Sequence, residues 1–356
     1  MKAITNTSYV KNIFLLALLL FSTVAIIAQE EEEKEEVKPK FSFSGTIDAY
    51  YRANLNSANS GDNYSAPGSS FANLPGFALG MANVIAGYEG EEVGFVADLV
   101  FGPRGTDAIF ASPMYSATGN IVNQLYVYWN VSDNVKLTFG NFNTFLGYEV
   151  ISPSANFNYS TSYLFSYGPF SHTGLKADFD LGNDWSAMIG VMNPTDLTEF
   201  NPNGKYAYGA QLGYSGQYLN FLADDGSFEV DFTGGFDVTD DFFLGINAAY
   251  FDGAEGIGSF AGAAVYPQLA TSENFTIGLR GEYFTETDFF GAIGASDIDG
   301  DASVFAVTLT GSATIGDLII KPELRLDSAS EDAFLDADGE PLGSLSSFVL
   351  AAIYSF

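Results

Sequence analysis

From Phe41 onward, apolar and polar residues alternate along the chain. Within residues 41–55, Phe41, Phe43, Gly45, Ile47, Ala49, Tyr51, Ala53 and Leu55 hold the odd places, and Ser42, Ser44, Thr46, Asp48, Tyr50, Arg52 and Asn54 the even ones. Successive side chains of a strand point to opposite faces, so one face is greasy and the other wet. The same period returns with Val93, Phe95, Ala97, Leu99 and Phe101, with Thr173, Leu175, Ala177, Phe179 and Leu181, and with Phe228, Val230, Phe232, Phe236 and Val238. The pattern predicts an all-β chain built from one kind of strand repeated.

The connections alternate in length. Short ones fall at 90–91, 132–134, 182–184, 215–217, 239–241, 270–274 and 316–317; long or variable ones at 56–76, 103–120, 147–171, 194–204, 224–226, 253–258, 286–301 and 329–345. Tight turns on one rim and long loops on the other are the habit of a transmembrane antiparallel β-barrel, with short periplasmic turns and long extracellular loops. The count is about 16 strands. One of them is forced by parity: the strands beginning near Lys205 and Ser227 would run the same way, so residues 218–223 must form a strand between them.

What precedes the strands has another character. Residues 1–28 carry Lys2 and Lys11, an apolar run from Ile13 and small Ala28 before the polar switch, which predicts a cleaved signal peptide. Residues 29–40 (QEEEEKEEVKPK) form an acidic periplasmic linker, and 41–356 the outer-membrane β-barrel. The whole sequence has 13 Lys plus Arg against 44 Asp plus Glu, one His and no Cys. That balance excludes nucleic acid as a partner, and the missing Cys removes disulfides, thiolate metal sites and Cys nucleophiles. No cofactor, metal site or catalytic residue is expected, and the chain reads as no enzyme.

Charge and aromatic placement select lipid as the solvent. Arg52, Lys136, Lys176, Lys205, Arg280, Lys321 and Arg325 all fall in phase with the polar face of strands. A charge on the lipid face near the midplane costs roughly 2 to 4 kcal/mol. Tyr51, Trp129, Phe139, Trp185, Tyr206, Tyr208, Tyr214, Tyr250, Tyr266, Tyr283 and Tyr354 fall in phase with the greasy face, as an interfacial girdle requires.

Residues 140–175 read GNFNTFLGYEVISPSANFNYSTSYLFSYGPFSHTGL. With G-Y-E after a strand, an Asn- and aromatic-rich loop and H-T-G opening the next strand, this stretch resembles the OmpL-like β-barrel porin family, and the resemblance extends more loosely over 41–356. It implies a Gram-negative outer-membrane pore and supplies neither a substrate nor catalytic residues. The last strand, SSFVLAAIYSF, ends in Phe356 and resembles the terminal strands that the barrel assembly machinery reads.

A barrel of this strand number leaves a water channel unless something fills it. The expected function is passive diffusion of small hydrophilic solutes or ions, with outer-membrane lipid around the barrel and a homo-oligomer left open. The expected lining is Asp48, Arg52, Asp98, Lys136, Lys176, Asp178, Asp180, Lys205, Glu229, Asp231, Arg280, Glu282, Lys321, Glu323 and Arg325. The longest loop, 147–171, is the candidate constriction, through Tyr148, Glu149, Phe157, Tyr159 and Tyr163. General porins resemble this in folding their third long loop into the lumen. A lid packed over the outer rim is the competing placement.

A slight acidic excess on the polar face, with strongly acidic outer loops, favours cations and neutral solutes. The segments DIDGD (297–301) and DADGE (336–340) resemble fragments of calcium loops but lack the closing Glu, so solvated turns are expected. His172 reads as a hydrogen-bonded wall residue, since no Ser and Asp pattern accompanies it. The alternative to a pore is a non-conducting barrel acting as a surface adhesin, receptor or ligand-binding protein.

Overall fold

The computed structural model describes residues 40–109 and 121–356. The expected signal peptide, and the expected linker up to residue 39, lie outside the described residues. The strands are β1 (Lys40–Asn54), β2 (Gly76–Glu89), β3 (Val93–Phe101), β4 (Val122–Ser132), β5 (Val135–Asn143), β6 (Ser171–Gly182), β7 (Trp185–Met192), β8 (Ala207–Tyr214) and β9 (Gln217–Asp224). They continue as β10 (Ser227–Thr239), β11 (Phe242–Asp252), β12 (Ser259–Ser272), β13 (Phe275–Thr287), β14 (Ala302–Ile315), β15 (Leu318–Ala329), β16 (Phe334–Leu335), β17 (Pro341–Leu342) and β18 (Ser344–Ser355).

β1 to β15 pair in sequence order and β18 closes the ring between β15 and β1, which makes a closed 16-stranded antiparallel barrel; β16 and β17 form a separate small hairpin. Closure leaves no sheet edge, the condition for strands to span hydrocarbon. The seam is sealed at its last residue, where Gly45 and Phe356 exchange two backbone hydrogen bonds of 3.1 Å each. A Cβ at Gly45 would stand 2.8 Å from the Phe356 ring, so a glycine is needed for that ring to lie over the seam.

The strand required by parity is present as β9. It is bounded by two-residue turns, Ser215–Gly216 and Asp225–Gly226, with all four residues at positive φ. That left-handed pair matches the twist of the flanking strands, and Asp-Gly is its favoured sequence.

The greasy face looks outward. Phe41, Phe43, Ile47, Phe139, Leu175 and Leu350 are exposed, while Asp48, Arg52, Asp231, Arg280, Glu282 and Glu323 are buried. A soluble protein does not invert its burial in this way over a whole molecule, so the outer surface is the one that meets acyl chains.

Three placements differ from the sequence expectation. Tyr266 belongs to the inner face, 1 % exposed. In β12 the inward residues Phe260, Ala264 and Tyr266 are themselves apolar because loop residues cover them, so hydrophobicity no longer marks the lipid side. Lys205 lies ahead of β8 in an exposed loop and pairs with Asp225; the strand starts at Ala207, and Lys205 is absent from the barrel wall. Residues 103–108, expected as loop, form a short helix α1 (Pro103–Ala108) with proline in its first turn.

Candidate functional site: the inner wall and the segment 144–170

The connection between β5 and β6 runs from Thr144 to Phe170, and Tyr163–Tyr167 within it forms one helical turn, α2. Ser162 caps that turn by accepting from Phe165 N at 3.0 Å. The segment has almost no regular structure, so its backbone N–H and C=O groups need partners from elsewhere. Charged side chains of the inner wall supply them.

Carboxylates take the N–H groups. Glu323 accepts from Tyr159 N (2.9 Å) and Ser160 N (3.2 Å), Glu282 from Tyr163 N (3.0 Å) and Leu164 N (2.8 Å), and Asp231 from Gly147 N (3.0 Å). Asp48 accepts from the Tyr159 hydroxyl and from Met81 N. Within the segment, Glu149 accepts from Ser162 N and Oγ, both at 2.7 Å.

Bases take the carbonyls. Arg280 donates to Ser160 O at 2.6 Å and forms an ion pair with Glu149 at 2.7 Å, with both side chains all but fully buried. Arg325 donates to Thr161 O at 2.8 Å while forked against Asp327. Lys321 donates to Pro153 O and Asn156 O. Arg104, from α1, donates to Ile151 O (2.8 Å) and Tyr159 O (3.2 Å) and lies 4.4 Å above the Phe71 ring. Hydrogen bonds to charged groups are worth about 1.5 to 3 kcal/mol each, enough to hold a loop that has no ladder of its own.

Glycines on the inner face provide sockets. A Cβ at Gly245 would stand 2.4 Å from the Tyr148 hydroxyl, one at Gly278 2.4 Å from the Phe157 ring, and one at Gly209 2.6 Å from the Phe145 ring. One at Gly262 would stand 2.9 Å from Leu164. Tyr148 also stacks on Tyr266 with ring centroids 4.3 Å apart. Below the segment lies a cavity of about 590 Å³ lined by Tyr148, Phe157, Phe243, Tyr266, Gln268 and Lys321.

The wall of β4 to β6 differs. Lys176 and Asp178 pair at 2.8 Å and keep a quarter to a third of their side-chain surface in contact with solvent. Lys136 is exposed, with its ammonium 5.1 Å from the Tyr128 ring, and Asp180 is exposed near the end of β6, accepting from Gly182 N. Asp98 is buried and accepts from Asn83 and Asn123. Arg52 is buried on β1 and donates to the Tyr64 hydroxyl. Glu229 is buried on β10 with no hydrogen bond or ion pair among the described residues. Of the expected wall residues, then, Asp48, Asp231, Arg280, Glu282, Lys321, Glu323 and Arg325 converge on one segment, whereas Lys136, Lys176, Asp178 and Asp180 stand apart from it.

Arg104 and the four socket glycines escaped the sequence reading, and Tyr266 reads there as a lipid-facing residue. The signal available for the glycines was their phase: Gly245 and Gly278 fall on the wet face, where a missing side chain marks a close approach. His172 is buried with Nε2 3.0 Å from Thr144 Oγ1 at the base of the segment, the place of a hydrogen-bonded wall residue. In 297–301 and 336–340 the Oδ1 atoms of Asp297 and Asp336 accept from backbone N–H groups of their own turns.

The fold is shared with solved outer-membrane proteins. The outer membrane channel DcaP of Acinetobacter baumannii superposes with a TM-score of 0.58 at 15 % identity, covering 92 % of this chain and 100 % of that one. An anion-selective porin from Comamonas acidovorans gives 0.57 at 11 % identity, covering 90 % and 100 %, and the trimer form of OmpT of Vibrio cholerae 0.52 at 11 %, covering 89 % and 99 %. No curated protein matches the chain. Residues 40–356 match the family described as "Putative beta-barrel porin-2, OmpL-like", and the chain belongs to that family of outer-membrane β-barrels.

Proposed function

We propose that this porin passes small hydrophilic solutes by diffusion through the space between segment 144–170 and the wall of β4 to β6, that the segment narrows the bore, and that cations and neutral solutes pass better than anions. The observation that carries this reading is where the bases are engaged. Arg104, Arg280, Lys321 and Arg325 give their N–H groups to carbonyls of the segment, and Arg280 and Arg325 are paired to carboxylates as well. They are withdrawn from passing anions, while the acidic residues of the outer loops face water and concentrate counter-ions. The likeness to an anion-selective porin concerns the fold; selectivity lies in side chains that differ at 11 % identity.

Reconstitution into planar bilayers with a potassium chloride gradient tests this. Stepwise conductance with a reversal potential of the sign set by potassium is expected, and a chloride-preferring potential overturns the selectivity. One observation favours a closed barrel instead: Tyr167 donates to both Gly68 O and Ala292 O, tying three outer loops together as a ligand-binding surface would require. Absence of steps at high protein concentration decides for that second reading.

A further inference from the structure

Behind the end of segment 144–170, on the extracellular side of β9 to β11, lies a cavity of about 240 Å³. Its wall combines three carboxylates, Glu229, Asp224 and Asp196, with the rings of Tyr167, Phe251 and Phe290, and among the described residues no Lys, Arg or His lines it. Asp196 and Asp224 are partly committed. Asp196 accepts from Phe170 N and Ser171 N, both at 2.8 Å, and Asp224 Oδ2 accepts from Thr195 N at 2.7 Å, leaving its buried Oδ1 without a partner.

Glu229 is different. It is 5 % exposed, lines the cavity, and has no hydrogen bond or ion pair among the described residues. Gly168 passes over it closely enough that a Cβ there would stand 3.8 Å from Oε1. The neighbouring Asp231 has its own partners, accepting from Gly147 N, Asn220 Nδ2 and Asn247 Nδ2. A buried carboxylate with no donor either takes up a proton or holds its charge beside a cation, and the geometry here leaves room for the second. The rings opposite it are set at steep angles, Phe290 to Tyr167 at 5.6 Å and 68°, and Phe290 to Phe251 at 5.9 Å and 57°. Ring faces attract cations, and organic ammonium groups most when water is excluded.

We propose that this cavity is a binding site for small organic ammonium ions, the charged nitrogen resting against Glu229 and Asp224 and the apolar body against Tyr167, Phe251 and Phe290. A bare metal ion would leave the aromatic half of the cavity unused, and a neutral solute would offer an ionised Glu229 no counter-charge. The inference deepens the cation-preferring reading above and rests on it for passage through the barrel, though not for binding.

The test is titration calorimetry on the full barrel in detergent, with benzylammonium, benzyl alcohol and benzoate as probes at pH 8. Saturable binding of benzylammonium alone is expected, weakened at least tenfold by Glu229→Gln. Equal binding of benzyl alcohol, no binding of benzylammonium, or an unchanged affinity in Glu229→Gln overturns the proposal. Folding of the variant is checked by its heat-dependent mobility in gel electrophoresis. If it does not fold, Asp224→Asn replaces it, with at least threefold weakening expected and an unchanged affinity overturning the site. Single-channel recording of the same preparation separates the two readings: conductance without ammonium binding removes only this site, and ammonium binding without conductance removes only the pore.

Discussion

Arg280 joins the barrel to its internal segment at a single guanidinium. Nη1 bonds Glu149 and Ser160 O, and Nη2 reaches Thr308 Oγ1 at 3.1 Å. Removing one partner of a buried ion pair costs about 3 to 5 kcal/mol, because the survivor is left charged in a dry place. Arg280→Met is therefore expected to release segment 144–170 while the ladder of β13 survives, since the ladder uses backbone groups. The segment carries no Lys or Arg but many aromatic residues, so chymotrypsin is the probe. Cleavage between Tyr148 and Phe170 in the variant but not in the parent is the expected outcome, and equal resistance of the two refutes the role assigned to Arg280. The alternation of residues around Arg280, Lys321 and Arg325 gave their inward direction correctly. It could not give their partners, because a phase reports which side of the sheet a side chain occupies and says nothing of what fills the bore. Tyr266 shows the converse: where a loop covers the wall, inward residues become apolar and the phase itself is misread.

At the scale of elements, regular strands were legible and the segment was legible only as a length of aromatic, nearly uncharged chain. β9 followed from parity, since each turn reverses the chain and the direction of every strand is fixed by counting. The seating of 144–170 depends on contacts between residues more than 100 positions apart, such as Tyr159 with Asp48 and Tyr159 with Glu323, which periodicity does not encode. Its exit is held by Asp196 in the loop after β7, through the N–H groups of Phe170 and Ser171. Burial pushes the Asp196 carboxyl up to about 6, outweighing the two N–H groups that pull it down, with Asp224 nearby adding to the rise. A folded-state value above the unfolded one of about 3.9 means that protonation favours the folded junction. That contribution is complete below about pH 4 and is lost as pH rises through about 6. Amide protection at Phe170 and Ser171 is thus expected to fall between pH 5 and 7 after correction for intrinsic exchange, and Asp196→Asn to flatten the change. A dependence that persists in the variant assigns it to another group.

The whole molecule has a wall of uneven height. β7, β8 and β9 have 8 residues each and β3 and β5 have 9, whereas β12 and β14 have 14 and β1 has 15. At about 3.3 Å per residue and a tilt of roughly 40°, 8 residues rise about 20 Å, short of an apolar band about 25 Å tall. On that side lipid must thin or another protein surface must replace it, and thinning costs energy along the whole short arc. The same arc exposes Trp185, Tyr208 and Tyr214 toward the outside, large rings suited to packing against a flat neighbour. A second copy of the barrel meets both demands, because a short wall facing a short wall hides the mismatch from lipid. Light scattering of the detergent-solubilised protein is then expected to give a mass that is a multiple of one chain. Arg substituted at Tyr208 and Leu212 is expected to reduce it to a single chain while the heat-dependent gel mobility of the folded barrel is retained. A monomeric parent, or a parent oligomer indifferent to those charges, shows instead that lipid accommodates the low side.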